Sequence, residues 1–395
     1  MEEWKEYRLG DVCKTISDTY KGKAQDVVLI NTSDVFEGKC LNHKKSPNKD
    51  LKGQFKKTFK KNDILYSEIR PANKRYAYID FEPSDYIAST KLMVIRHNEK
   101  ILPLYLFYIL KSQEVVEELQ MLAESRSGTF PQITFDEVAN MKIKLPSIEQ
   151  QNRILWVLKS FDDKINCNCR INDNLLQQAQ ALYKSWFIDF EPFQNVDFID
   201  SELGMIPKGW IVGDIYNYVD VIYGAPYKSS MFNDNNEGLP LIRIRDLKTN
   251  SPQFFTTEIL PNTEYIEAGD IVAGMDAEFT PYLWLGEKGV LNQRCCKFKA
   301  KNKAISNYYI LFLVKPELEY VQSYKTGTTV SHLGKSDIDR FKFITPPLDV
   351  VLAFSEKVNY MKEEVVNRAR ESRRLAQLRD TLLPRLMSGE LKMDK

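Results

Sequence analysis

Two stretches of this chain are patterned unlike the rest. From Ser147 through Glu191, and again from Leu348 through Leu383, there is neither proline nor glycine. Windows that long without a breaker predict helices of roughly 36 to 40 residues, several times the usual ~11-residue length. Such a helix persists only where a partner covers its apolar stripe. In the first stretch Ile154, Leu158, Phe161, Ile165, Asn168, Asn172, Leu175, Ala179, Leu182 and Trp186 recur at an unbroken 4-3-4-3 spacing, the heptad seam of a coiled coil. Phe354, Val358, Met361, Val365, Arg368, Ser372, Leu375, Arg379, Leu382 and Leu386 stand at the places 200 residues further on. Arg379 is the one departure from that second seam, with Leu378 beside it as a substitute.

Both seams turn polar at their centres, at Asn168 and Asn172 in one and at Arg368 and Ser372 in the other. Buried polar layers cost stability and fix register and orientation. The pattern therefore predicts an intramolecular antiparallel coiled coil in which these layers meet. Cysteines introduced at 168 and 368 should then cross-link, and cysteines at 158 and 358 should not. The competing arrangement packs each helix on its own globular domain.

The seams belong to a longer repeat. Each half of the chain opens with a tryptophan and a Gly-Asp, Trp4 with Gly10-Asp11 and Trp210 with Gly213-Asp214. Asn62-Asp63-Ile64-Leu65 matches Gly269-Asp270-Ile271-Val272, and Tyr105 to Lys111 (YLFYILK) matches Tyr309 to Lys315 (YILFLVK). Ser127-Gly128-Thr129 against Thr326-Gly327-Thr328, and Leu145-Pro146 against Thr345-Pro346-Pro347, complete a shared order. Between these landmarks short β-branched and aromatic runs alternate with Gly, Asn and Pro breakers. The fold class is mixed α/β, with two globular domains joined by two long antiparallel helices as an internal pseudo-two-fold repeat. The expected boundaries are 1–146 for the first globular domain, 147–191 for its helix, 192–206 for a linker, 207–346 for the second domain, and 347–395 for the second helix and tail. Helices on the order of 57 Å long that relate two lobes by a pseudo-dyad match the symmetry of duplex DNA.

Composition narrows the class. Apolar residues are 43% and charged residues 28%, which excludes disordered and collagen-like chains. The longest apolar runs, near Leu104 to Leu110 and Tyr308 to Val314, are under half of a bilayer span, and no signal peptide opens the sequence. The expectation is a cytoplasmic protein with no membrane association. Six cysteines contain no C-x-x-C pair, and three histidines lie far apart, spacings that do not make a zinc site or a disulfide framework. The net charge of +1 excludes a polycation that binds nucleic acid by bulk charge, but not a local basic face.

The two repeats, each ending in a long helix introduced by a Pro turn (Leu145-Pro146-Ser147-Ile148-Glu149-Gln150-Gln151 and Thr345-Pro346-Pro347-Leu348), resemble the specificity subunit of type I restriction-modification systems. Ala181 to Phe193, Ile206 to Trp210 and Leu382 to Leu391 support the likeness, which covers essentially the whole chain. It implies two target recognition domains, each reading one half of a bipartite, asymmetric sequence in double-stranded DNA. It also implies that the helices set the gap and bind two modification subunits. Those partners would carry S-adenosylmethionine and methylate adenine. Restriction subunits would add ATP- and Mg-dependent translocation and cleavage. The chain itself would hold no cofactor and do no chemistry. The two repeats depart from each other at the helix starts, with Ser147 opposite Pro347 and Asp349-Val350-Val351 in place of Glu-Gln-Gln.

Readings from other classes are a self-contained nuclease or methyltransferase, or a coiled-coil scaffold whose lobes bind protein. The sequence contains neither a glycine-rich cofactor turn nor an (N/D)-P-P-(F/Y) loop, and Gly334-Lys335-Ser336 has Thr329 where a phosphate loop needs glycine. Asp26, Glu37 and Lys39 follow the D…E-x-K order of magnesium nucleases, without a counterpart at Arg245-Asp246-Leu247-Lys248 in the second repeat.

Candidate DNA contacts fall into two groups. Lys39, Lys44, Lys45, Lys49, Lys52, Lys56, Lys57, Lys60 and Lys61 place nine positive charges between residues 39 and 61 against Asp50 alone. They are suited to phosphate contact, which positions a domain without reading sequence, and Lys44 and Lys45 are its core. Base reading calls for Arg, Asn, Gln, Ser and Thr on exposed loops. In the first repeat these are Ser67, Arg70, Arg75, Thr90, Lys91, Arg126, Ser127, Thr129 and Gln132. In the second they are Tyr227, Lys228, Arg243, Arg245, Asp276, Tyr282, Asn292, Gln293, Arg294, Thr328, Thr329, Ser331 and His332.

Overall fold

A computed structural model describes residues 4–48, 53–125, 131–325 and 331–391. The chain divides into two compact units, Met1–Asp163 with Leu375–Lys395, and Lys164–Arg374.

In the first unit an antiparallel sheet runs in the order Cys13–Ile16, Leu92–His97, Ile64–Ser67, Tyr76–Tyr78. A second sheet orders Lys45–Pro47, Asp26–Ile30, Tyr86–Ser89 and Phe55–Lys57, with one parallel pair at its centre. Lys5–Arg8 pairs with Lys142–Leu145, which ties the start of the globular part to its end. The second unit repeats this plan. Val219–Tyr223, Cys295–Ala300, Ile271–Gly274 and Pro281–Leu283 form the first sheet, and Leu239–Ile242 lies parallel to Gly289–Leu291 within a five-stranded second sheet. Ile211–Gly213 pairs with Phe343–Thr345.

The Asn-Asp and Gly-Asp landmarks are strand starters. Asp63 accepts the Lys60 backbone N–H and a bidentate pair of bonds from Arg96 at 2.7 Å, and Asp270 accepts the Glu267 N–H and pairs with Lys297 at 2.9 Å. Asp63 is buried, which is tolerated because both of its oxygens are engaged. The aromatic segments are helical as expected, with one difference. In the first repeat the helix Pro103–Lys111 stops, Ser112 caps a new one through its Oγ, and Gln113–Ser125 follows. In the second, Asn307–Lys325 continues through Pro316.

The breaker-free windows form helices Ile148–Phe187 and Leu348–Met387. Their seams face inward. Leu158 packs in the first unit's core beside Leu383 and Leu386, and Val358 packs in the second unit's core beside Phe354 and Tyr183. Phe161, Ile165, Leu175, Met361 and Leu375 are half-buried, while Val365 is buried. Within the second unit the Asn168 amide donates to Ser372 Oγ at 3.2 Å and to Glu371 Oε2 at 2.8 Å, and Asn172 donates to the Val365 carbonyl at 3.2 Å. One position advances as the other retreats, so the segments run antiparallel.

The polar layer is assembled differently from the expectation in two respects. Position 168 faces 371 and 372, about one turn from 368, because the heptads interlock with an offset that the 200-residue spacing does not encode. Arg368 therefore pairs with Glu364 on its own helix at 2.8 Å. Leu378 does not substitute in the seam: it is 52% exposed. Arg379 holds the place in the first unit by pairing with Asp162, which also accepts the Tyr108 hydroxyl and lies 3.7 Å from Lys111. Burial would raise the Asp162 carboxyl, but Lys111, Tyr108 and Arg379 outweigh it and hold it below the usual carboxylate range. Burial also holds the Lys111 ammonium down at about 8, against the attraction of Asp162.

Two outcomes follow. With Cys167 and Cys169 replaced by serine, cysteines at 168 and 372 should oxidise to a cross-link faster than cysteines at 168 and 368, as read by gel mobility; the reverse order would overturn the offset. The second concerns Lys111. Between about pH 8 and the ordinary lysine value of 10.5 the unfolded chain binds a proton that the folded chain does not, so this group adds stability as pH rises through that window. Urea unfolding should show a steeper rise for the native chain than for Lys111→Met, and parallel curves would contradict it.

Candidate nucleic-acid interface

In each unit one corner is built from three backbone pieces held the same way. The tight connection after Tyr86–Ser89 is pinned by the Lys91 N–H on Ser89 Oγ, and the one after Gly289–Leu291 by the Arg294 N–H on Asn292 Oδ1, at 3.3 and 3.1 Å. The turn leaving Ile64–Ser67 carries Arg70 at φ 44°, and the turn leaving Ile271–Gly274 carries Ala277 at φ 61°. Left-handed backbone at a residue with a side chain is strained and must be held by its surroundings. It is held by a third strand. Ile69 bridges Gln132 and Asp276 bridges His332, with the Arg70 N–H on the Pro131 carbonyl and the Ala277 N–H on the Ser331 carbonyl.

The side chains mounted on these matching frames differ. In the first unit Lys91 donates to Gln132 Oε1 at 3.2 Å and lies 3.9 Å from Glu68, with Arg70 exposed beside them in the same turn. In the second, Asp276 receives Arg294 at 3.1 Å on one oxygen and His332 Nδ1 at 2.7 Å on the other. The Arg294 side chain is 57% exposed, so the carboxylate orients a guanidinium that still presents donors outward. Gln293 is exposed next to it. Tyr282 donates to Glu278 at 2.6 Å, and burial together with that carboxylate pushes its phenol up to about 12.

Other expected contact residues serve the fold. Ser67 is buried, its Oγ bound by the Ile69 N–H. Arg75 lies over Phe36 and donates to the Ser33 carbonyl. Thr90 and Ser331 stay at the corner, half-buried, with their backbone carbonyls accepting from Lys57 and from the Ala277 N–H. Tyr227 is buried and donates to Thr263 at 3.0 Å. Arg243 sits over the Phe254 ring at 4.3 Å and 3.9 Å from buried Asp246, while Asn292 is a buried turn cap. Arg245 and Lys228 are exposed, with the Lys228 backbone N–H donating to Glu258 at 2.9 Å. Arg126, Ser127, Thr129, Thr328 and Thr329 lie outside the described residues.

Of the lysine run, Lys39, Lys44, Lys45, Lys56, Lys60 and Lys61 are exposed, and Lys49 and Lys52 lie outside the described residues. Lys57 does not belong to the exposed set. It donates to the Thr90 and Leu92 carbonyls beneath Lys91, and burial lowers its pKa. The nuclease-like order dissolves in the same way, since Glu37 is paired with Lys74 at 3.2 Å. Gly334 and Asp337 form a helix cap, with the Gly334 N–H on Asp337.

Two residues that sequence reasoning passed over complete the frames: Gln120 accepts the Ala72 N–H and Gln322 accepts the Phe279 N–H. The only signal was the repeat itself, and the break at Ser112 shifts its register between the aromatic helices and these glutamines.

The family described as the type I restriction modification DNA specificity domain matches residues 1–177 and 207–351. The specificity subunit of the type I restriction enzyme HindI of Haemophilus influenzae is 33% identical over 99% of this chain and 100% of its own. The MjaIX specificity subunit of Methanocaldococcus jannaschii is 29% identical over 74% and 69%. A solved type I S subunit from M. genitalium is 14% identical, with a TM-score of 0.49 over 100% of this chain and 97% of that one. The chain belongs to the type I restriction-modification DNA specificity family and is a sequence-specificity subunit with two recognition domains. No helix among the described residues is long and apolar enough to cross a membrane.

Arg243→Ala, which removes the cation from Phe254 and from Asp246, should cost about 2 kcal/mol of stability, whereas exposed Arg245→Ala should stay within about 0.5 kcal/mol. Urea unfolding of the full chain separates these outcomes, and equal effects would contradict the assignment of Arg243 to the framework.

Proposed function

We propose that this subunit reads a bipartite, asymmetric target in double-stranded DNA, one half per recognition domain. The observation that carries this is the repeated corner: one backbone frame, built twice, bearing Lys91, Gln132 and Arg70 in one copy and Arg294, Asp276 and His332 in the other. Equivalent frames suit equivalent tasks, and unlike donor and acceptor sets suit unlike base sequences. The exposed lysines of the first domain supply phosphate contacts that carry affinity but no sequence information.

The long helices act as the spacer and as the docking surface for two modification subunits, which hold S-adenosylmethionine and methylate an adenine in each half. Restriction subunits, where they join, bring ATP- and Mg-dependent cleavage. This chain contributes selection and does no chemistry. Its charge supports that division. The first domain, residues 1–145, has 24 basic and 21 acidic residues, and the second, residues 207–345, has 16 of each. So small a surplus leaves much of the phosphate neutralisation to the partners.

The test is to map methylated adenines genome-wide in cells with and without this chain and its modification partners. A bipartite motif that depends on the chain supports the reading, and methylation or cleavage by the chain alone would contradict it. Arg294→Ala should relax one half-site only. Lys44→Gln with Lys45→Gln should weaken binding to every sequence and reduce the salt slope by about 1.8.

A further inference from the structure

Gln120 and Gln322 do for the reading corners what no residue on the corners does for itself. Gln120 lies in Gln113–Ser125, and its Oε1 accepts the Ala72 N–H at 3.0 Å, two residues past left-handed Arg70. Gln322 lies in Asn307–Lys325, and its Oε1 accepts the Phe279 N–H at 2.8 Å, two residues past left-handed Ala277. In both repeats one side chain from the helix thus clamps the same N–H of the same strained turn. The second turn starts at Asp276, the residue that orients Arg294 and His332.

The two clamps are chemically distinct. Gln120 uses only its oxygen on the turn, since its Nε2 donates to Glu124 on its own helix at 2.6 Å. Gln322 uses both ends, its Nε2 donating to the Ala277 carbonyl at 2.8 Å. A glutamate at 120 keeps the acceptor the turn requires and gives up only the bond to Glu124, an exposed side chain that can swing into solvent, whereas a glutamate at 322 loses the donor and sets a carboxylate oxygen against a backbone carbonyl of the turn itself.

Resting on the functional reading above, we propose that Gln120 and Gln322 are positioning residues for sequence discrimination, each serving one half-site. Releasing a clamp lets the strained turn relax, and the side chains mounted on it lose their fixed aim. Contacts that hold the domain on the helices are untouched, so the other half-site keeps its selectivity.

The experiment expresses the full chain with its modification partners and maps methylated adenines in genomic DNA. Gln322→Leu and Gln322→Glu should each reduce discrimination about tenfold in one half of the motif, and Gln120→Leu should do so in the other half. Gln120→Glu should leave the native motif. Should a leucine variant fail to fold, the two glutamate variants still decide: equal behaviour of Gln120→Glu and Gln322→Glu overturns the proposal, as does relaxation spread over both halves. A native chain that directs no bipartite methylation overturns the functional reading and this role with it. A native bipartite motif left intact by Gln322→Glu overturns only the role of the glutamine.

Discussion

A helix of 40 residues cannot stand alone in water with a continuous apolar stripe along it, and every other feature of this chain accommodates that fact. The stripe of Ile148–Phe187 is covered in two ways. The opposing segments of Leu348–Met387 run antiparallel to it within each unit. The globular parts contribute the rest, with Tyr105, Leu106 and Leu119 in one core and Tyr309 and Phe312 in the other. Helix and recognition domain therefore share a single core in each unit. In each unit the domain is continuous with its helix segments through that core.

The polar residues in the seam have different tasks. Asn168 ties its helix to Ser372 and Glu371 and so sets the register of the pair. Arg379 and Asp162 are not a helix-to-helix bridge alone, because Tyr108 and Lys111 from the recognition domain converge on the same carboxylate. In the second unit the places of Arg379 and Tyr108 are taken by Ala179 and Phe312, both in the apolar core. The two seats are thus built on one plan with unlike chemistry, much as the two candidate corners are.

Duplication followed by divergence is also visible in the corners. The framework bonds are kept: the cap on the connection, the left-handed residue, the bridge to the third strand and the glutamine clamp. These depend on backbone geometry, which a repeat preserves. The outward groups changed from lysine and glutamine to arginine, aspartate and histidine, because no backbone bond constrains them. A fixed frame with free side chains is the combination that lets two copies of one domain differ in what they contact.

Much of this was legible in the chain itself. Breaker-free windows, heptad spacing and a repeated order of landmarks are properties of sequence, and they determined the two helices, their inward faces, the duplication and the mixed α/β character of each repeat. Which polar residues face outward was not determined in this way. Ser67, Tyr227, Arg243 and Asn292 have the same chemistry as reading residues, and only the tertiary structure assigned them to internal bonds. Lys57 in a run of exposed lysines, and Arg368 one turn from its anticipated layer, were decided likewise. The reason is physical: periodicity reports which face of an element is apolar, whereas the partner of a polar side chain is set by distant strands and by helix offset, neither of which leaves a local trace.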